Sequence, residues 1–280
     1  MSGGLAPAAL AAIARQELRV LLRSRWVLAY AAVFAVLTFG VGYFGLAVIE
    51  YTGFQSLDRT AVSLLNLVLY IVPLATLLMA VQSFRPEGGI TEQLVTEAVT
   101  ASEIVIGKLA GLAGAHALSV LAGFGLTGAL IAARVGTGGL RAYSTVVAYT
   151  LLVGLVFSAL GALITLLARR SLRAYALVMV VWFVLVLLFD LVVIGLTFTI
   201  PEHWANRLAL GALFANPVDA TRVAALLGIA GRELFGPAGA VLVRSLGGTT
   251  QATALLVAAL ALWTALPAGF AVGVLRRQDM

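Results

Sequence analysis

The chain has no cysteine and a single lysine, Lys108, among 280 residues. Without cysteine there is no disulfide and no thiolate metal site, and redox chemistry says nothing about compartment. Charge is scarce too. Charged residues make up 11% and hydrophobic residues 62%, with a mean hydropathy of +1.07, whereas soluble domains carry roughly 25% charged residues. A water-soluble fold of this length cannot bury that much apolar surface, so lipid is the solvent for most of it. A phosphate-binding loop is also missing. The one Gly-Lys pair, Gly107-Lys108, is followed by Leu109, and Ser102 stands where the first loop glycine would be, so nucleotide hydrolysis is not expected of this chain. No Gly-x-Ser-x-Gly or His-Glu-x-x-His occurs, which leaves hydrolase chemistry unsupported.

What is present is a set of apolar runs. A membrane helix needs about 20 apolar residues, and six segments qualify: Trp26–Ile49, Thr60–Phe84, Leu109–Ala133, Ala142–Ala168, Ala174–Ile200 and Ala252–Leu275. None alternates in polarity as a barrel strand does. The expected fold is all-α, with residues 1–280 forming one transmembrane domain of six spans. The first run follows arginines but lacks a small-residue cleavage site, so it reads as a retained span rather than a signal peptide.

The net charge of +6 follows topology, and no nucleic-acid partner is expected. With the N-terminus in the cytoplasm, that side collects Arg15, Arg19, Arg23, Arg25, Arg85, Lys108, Arg169, Arg170, Arg173, Arg276 and Arg277. The short outer loops keep Arg59, Arg134 and Arg141. This distribution predicts both termini inside. Ile13–Arg25 sets Ala14, Leu18, Leu21 and Leu22 against Arg15, Arg19 and Arg23. Such a basic amphipathic helix suits the bilayer interface, and it serves equally as a topology-fixing flank. Two small-residue ridges, Gly107/Gly111/Ala115 and Gly154/Ser158/Ala162, permit close helix approach in lipid. Packing within one subunit is the preferred reading, with a dimer face as the alternative.

Residues 85–107 interrupt the apolar pattern. Ile90, Leu94, Val95 and Ala98 recur at helical spacing while Glu92, Gln93, Thr96 and Glu97 take the opposite face, a pattern of a short amphipathic helix. A solvated loop with helical character fits the same periodicity. Thr100 and Glu103, three apart before an apolar run, form a capping-box pattern that starts a new helix.

Six spans, inside termini and this insert resemble the type-two permeases of ABC transporters. The insert's end, Ala98-Val99-Thr100-Ala101-Ser102-Glu103 followed by Ile106-Gly107-Lys108, is similar to the family's "PVSR–E–LLGK" pattern. Just before it, "RPEGGITEQLV" stands where the family usually has "ERERGTLELLL", which Arg85, Glu87, Gly89, Thr91 and Leu94 follow loosely. Ser63–Phe84, Val184–Leu196 and "LFANPVDATRVAAL" at Leu213–Leu226 resemble the NosY-type branch, which serves copper-site maturation of nitrous oxide reductase. The resemblance implies an inner-membrane permease that pairs with a second copy of itself and with two ABC ATPase subunits holding ATP and Mg. The insert would be the coupling helix, with Ile90, Glu92, Leu94, Val95 and Glu97 meeting the ATPase. A general exporter of lipids, peptides or drugs, and a non-transporting membrane anchor of an assembly or redox complex, are the alternatives.

Copper prefers Cys, Met or His, and only Met79 and Met179 lie inside spans beside His116. No metal site is expected. By helical rise, His116 lies about 12 Å deep and Asp190 about 24 Å, too far apart for a direct pair. Asp190, an acid inside a span, is either a pathway or gate residue or a protonated carboxyl hydrogen-bonded to a neighbouring helix. His116 reads as an interhelical hydrogen-bonder. In the long segment 201–250, expected outside the membrane, Asn216 suits an N-cap, Pro217 the first helical position and Asp219 the first turn. Val223, Leu226 and Leu227 then form an apolar stripe, and Ala238–Val243 is a second apolar run. Asn216, Pro217, Asp219 and Arg222 are the candidate residues of an outer gate or of a dock for a periplasmic subunit.

The topology is directly testable in this cysteine-free chain. Single cysteines at Ser56, Thr137 and Gly239 are expected to label with an impermeant maleimide from outside intact cells, and those at Thr96 and Ser171 are not. Labelling of Ser171→Cys from outside would refute the six-span arrangement.

Overall fold

A computed structural model describes residues 6–52, 56–85, 99–135, 140–230 and 245–278. The insert residues Ile90, Glu92, Leu94, Val95 and Glu97 lie outside the described residues, as does Ala238–Val243. The helices are α1 (Pro7–Leu22), α2 (Arg25–Thr52), α3 (Ser56–Phe84), α4 (Ala101–Val135), α5 (Leu140–Ala168), α6 (Ser171–Phe183), α7 (Phe189–Thr197), α8 (Glu202–Ala215), α9 (Pro217–Ala230) and α10 (Thr249–Gln278). A π-helical segment, Val184–Leu188, joins α6 to α7. No strand occurs among the described residues.

Six helical stretches are long and apolar enough to cross a membrane: Arg25–Gly45, Thr60–Phe84, Ala101–Arg134, Leu140–Ala168, Ser171–Thr197 and Thr249–Gln278. The second, third and fourth form the buried centre, and the other three are mostly exposed at the periphery. Leu64, Leu65, Val68 and Leu69 of α3 pack with Val153, Val156 and Phe157 of α5 in the main core. Phe34, Phe124 and Tyr143 add a chain of edge-on rings with centroids 5.4 Å apart.

The helix of the third span starts at Ala101, where the capping box places it and about two turns before the apolar run at Leu109, so Lys108 sits inside a helix. Glu103 N–H donates to Thr100 Oγ1 at 3.3 Å, and Thr100 N–H donates to Glu103 Oε2 at 2.8 Å. Two donors that a helix N-terminus otherwise leaves open are thereby satisfied. The other oxygen, Glu103 Oε1, accepts the Ala6 N–H at 2.8 Å, tying the head of α1 to the start of α4.

The N-terminal helix also buries a different face from the one its pattern suggests. Its buried residues are Ile13, Glu17 and Leu21, while Leu22 is exposed. The reason lies in α4. A Cβ at Gly107 would stand 2.8 Å from Ile13 Cβ, and one at Gly111 would stand 2.7 Å from the Ala14 carbonyl oxygen. Glycine at both positions lets α1 lie directly on α4. The exposed side keeps Arg15, Arg19 and Arg23. The first small-residue ridge therefore packs within the subunit.

The second ridge does the same. Gly154, Ser158 and Ala162 are buried, and a Cβ on Gly154 would stand 2.1 Å from His116 Nε2. His116 fills that slot with both ring nitrogens engaged. Nε2 lies 3.2 Å from the Thr150 carbonyl, which only accepts, so this nitrogen donates. Nδ1, 3.3 Å from the Tyr30 hydroxyl, is then the acceptor. The imidazole links α2, α4 and α5, the interhelical role expected of it.

The first and last described helices share one end of the bundle. Arg276 of α10 donates to Ser102 Oγ at 2.9 Å, beside the Ala6–Glu103 bond at the start of α4, and Gln278 donates to the Leu166 carbonyl at the end of α5 at 3.0 Å.

Gly154→Ala pushes a methyl group into the His116 slot. Overpacking of this kind costs about 1–3 kcal/mol, so the thermal midpoint of the detergent-purified protein is expected to fall. An unshifted midpoint would show that the slot has spare room.

Candidate functional site at the bend between α8 and α9

The helix expected at Asn216 is α9, and it begins where its sequence signals place it. Pro217 is the first helical residue, where its missing N–H costs nothing. Asn216 is fully buried, and its Oδ1 accepts the Val218 N–H at 3.0 Å as an N-cap does. The two halves, Arg207–Ala215 and Pro217–Ile229, are bent by 102° at this residue. Helix α9 then enters the bundle against α3, α5 and α10. Its buried face is Val218, Ala220, Thr221, Ala224, Ala225 and Leu227, richer in small residues than the Val223/Leu226/Leu227 stripe. Those small residues allow the close packing.

The Asn216 amide makes two further bonds. Nδ2 donates to the Leu185 carbonyl at 2.9 Å and to Asp219 Oδ2 at 3.0 Å. Leu185 lies in the π segment, whose wider turn displaces the usual i→i−4 pairing and opens a carbonyl to an outside donor. Asn216 supplies that donor. From the other side, Trp263 Nε1 of α10 donates to the Phe214 carbonyl at 3.0 Å, pinning the last turn of α8.

Asp190 joins the same network. Arg222 Nη1 donates to Asp190 Oδ2 at 3.0 Å and to Asp219 Oδ1 at 2.8 Å. Two carboxyl groups thus share one guanidinium, with side-chain exposures of 36% for Asp190, 27% for Arg222 and 16% for Asp219. The acid within the fifth span is paired with an arginine on α9, a cationic partner that neither sequence reading named. His116 has no part in this cluster. Among the described residues, no three His, Cys, Asp or Glu side chains converge as a metal site would require.

Sequence reasoning placed Asp190 in one group and Asn216, Pro217, Asp219 and Arg222 in another. The fold makes them one junction between the fifth span and the bend. No sequence spacing relates residues 190 and 222. The available signal was chemical, since a charged group inside a span seeks a partner and Arg222 stands one turn past Asp219 on a capped helix.

Residues 11–280 match the ABC-2 family transporter protein family, and the chain belongs to it: it is a multi-pass membrane permease of the ABC transporter class. Among curated proteins it is 34% identical over 274 residues to the "Probable ABC transporter permease protein NosY" of Pseudomonas aeruginosa, covering 96% of this chain and 98% of that one. It is 35% identical over 269 residues to the protein of the same name from Stutzerimonas stutzeri, covering 94% of each.

A double-mutant cycle of Asp190→Asn and Arg222→Gln, read by thermal unfolding, is expected to give a coupling of about 0.5–1 kcal/mol, modest because the pair is partly exposed. Asp190→Leu, which removes hydrogen bonding as well, is expected to destabilise more than Asp190→Asn. Strict additivity would show the pair to be incidental.

Proposed function

We propose that this chain is the membrane subunit of a NosY-like ABC exporter, coupling ATP hydrolysis on partner chains to export or force transmission for copper-site maturation of nitrous oxide reductase. The observation that carries the reading is the similarity to two NosY permeases over nearly the whole length of both. The capped start of α4 at Thr100–Glu103 supports it. A push on the insert enters a capped helix start instead of a slack loop.

In this reading the end that carries both termini faces the cytoplasm of an inner membrane. Two copies of the chain pair with two ABC ATPase subunits, which hold ATP and Mg. Ile90, Glu92, Leu94, Val95 and Glu97 form the coupling surface. The junction of Asp190, Asn216, Pro217, Asp219 and Arg222 serves the outer side, as a gate and as support for a periplasmic subunit. No catalytic residue is assigned to this chain.

Purification of the tagged permease from its native membrane tests the reading. The ATPase and a periplasmic subunit are expected to copurify with the intact chain. Leu94→Asp puts a charge into the apolar stripe, and an uncompensated buried charge costs several kcal/mol. That variant is expected to insert normally and to lose the ATPase or its coupling. Full recovery and coupling of the ATPase with Leu94→Asp would overturn the assignment of the insert.

A further inference from the structure

The only lysine of the chain is also one of its most buried charges. Lys108 is 2% exposed, and its ammonium reaches two helices beyond its own. Nζ lies 3.5 Å from Glu17 Oε2 of α1 and donates to the Ser83 carbonyl in the last turn of α3. It stands 5.4 Å from the centre of the Phe84 ring, in cation–π contact. Glu17 is itself buried. An ammonium held by a carboxylate, a carbonyl and a ring face has its donors answered without water.

The position matters more than the burial. Ser83 and Phe84 are the last residues of α3 before the insert, and Lys108 lies two turns into α4 after it. These two roots of the insert also share an apolar cluster, Phe84 with Ala101, Ile104 and Val105, and the ammonium adds the polar tie that brings α1 into it. Nearby, Ser24 Oγ, at the turn from α1 into α2, donates to Gln82 Oε1 at 3.2 Å. The N-terminal helix and the second and third spans therefore meet at one buried ammonium, and the Ser24–Gln82 bond ties the turn before the first span to the same end of α3.

We infer that Lys108, paired with Glu17, is a positioning residue for energy coupling: it binds both roots of the insert and the N-terminal helix into one unit, so that force on the insert moves α1 and the second and third spans together. The inference rests on the reading that the insert meets the ATPase. Lys108 touches neither nucleotide nor cargo in this scheme. Its action is to fix the spacing through which displacement passes.

The bland rival is a staple that only keeps α1 in place, and the two are separable. Removing one partner of a buried ion pair leaves an uncompensated charge, whereas neutralising both together is often tolerated. A staple therefore predicts recovery in the double variant; a positioning residue does not. The experiment uses the permease–ATPase complex in proteoliposomes, with a spin label on a single cysteine replacing Phe198, an exposed residue beyond the end of α7. Label mobility and the distance between copies are compared without nucleotide and after trapping with ATP and vanadate.

The intact pair is expected to give a nucleotide-dependent change. Lys108→Met and the double variant Glu17→Gln with Lys108→Met are expected to retain the ATPase and its KM for ATP, yet to lose that change. A double variant that responds like the parent overturns the inference, because the pair is then a staple. If Lys108→Met fails to insert, the double variant decides. A double variant that also fails to insert overturns the inference as well, by assigning Lys108 to assembly. Should the parent complex itself give no nucleotide response, the reading of the insert falls first and this inference with it.

Discussion

Hydrocarbon offers no hydrogen bonds, so every polar group carried into it must find its partner inside the protein, at a cost of several kcal/mol if it fails. That constraint organises this chain. Buried hydroxyls bond back to their own helices: Thr76 to the Val72 carbonyl, Thr150 to Val146, Ser158 to Gly154 and Thr165 to Gly161. Groups that cannot be satisfied locally become the ties between helices. The His116 imidazole, the Trp182 indole on the Tyr70 carbonyl, the Asn216 amide and the Lys108 ammonium each hold elements far apart in sequence. A bundle with little polarity to spend is thus held in register by a few polar contacts, each at a defined place.

Between those ties, shape does the work. Lipid is as apolar as leucine, so helices in it gain little from hiding apolar surface from one another and much from close contact. Gly107 and Gly111 let α1 lie against α4, Gly154 makes room for an imidazole, and Ala220, Ala224 and Ala225 let α9 sit among three spans. The large side chains point the other way on the peripheral spans: Val36 and Phe44 on α2, Leu191 on α7 and Phe270 on α10 are among the most exposed. Small residues mark the closest helix approaches, large apolar ones such as Phe34, Leu64 and Phe157 fill the rest of the core, and others face outward on the peripheral spans.

This reliance on a few polar ties and close approaches explains what could be read from the sequence. The spans were legible because length and hydropathy decide them without knowledge of neighbours. The starts of α4 and α9 were legible because capping is local: Thr100 needs only Glu103, and Asn216 needs only Val218. The long-range ties were not. Lys108 counts as a solvated charge until Glu17 is seen beside it, and Glu17 falls on a face of α1 that its apolar pattern assigns elsewhere. The pairing of Asp190 with Arg222 needs α9 folded back into the bundle, and the π segment carries no composition that separates it from the apolar residues on either side.

The π turn also sets an angular phase. An α-helix advances about 100° per residue, and a π turn accommodates one additional residue in the ladder. Everything from Phe189 onward is therefore rotated by about one residue's step relative to a straight continuation of α6. Asp190 owes its aim at Arg222 to that rotation. Val184–Leu188 consequently behaves as a counted interval in which composition is free but number is not. Exchanging one aliphatic residue for another leaves the heading of Asp190 alone, while loss or gain of a single residue would swing the fifth span's one acid to another quarter of the helix.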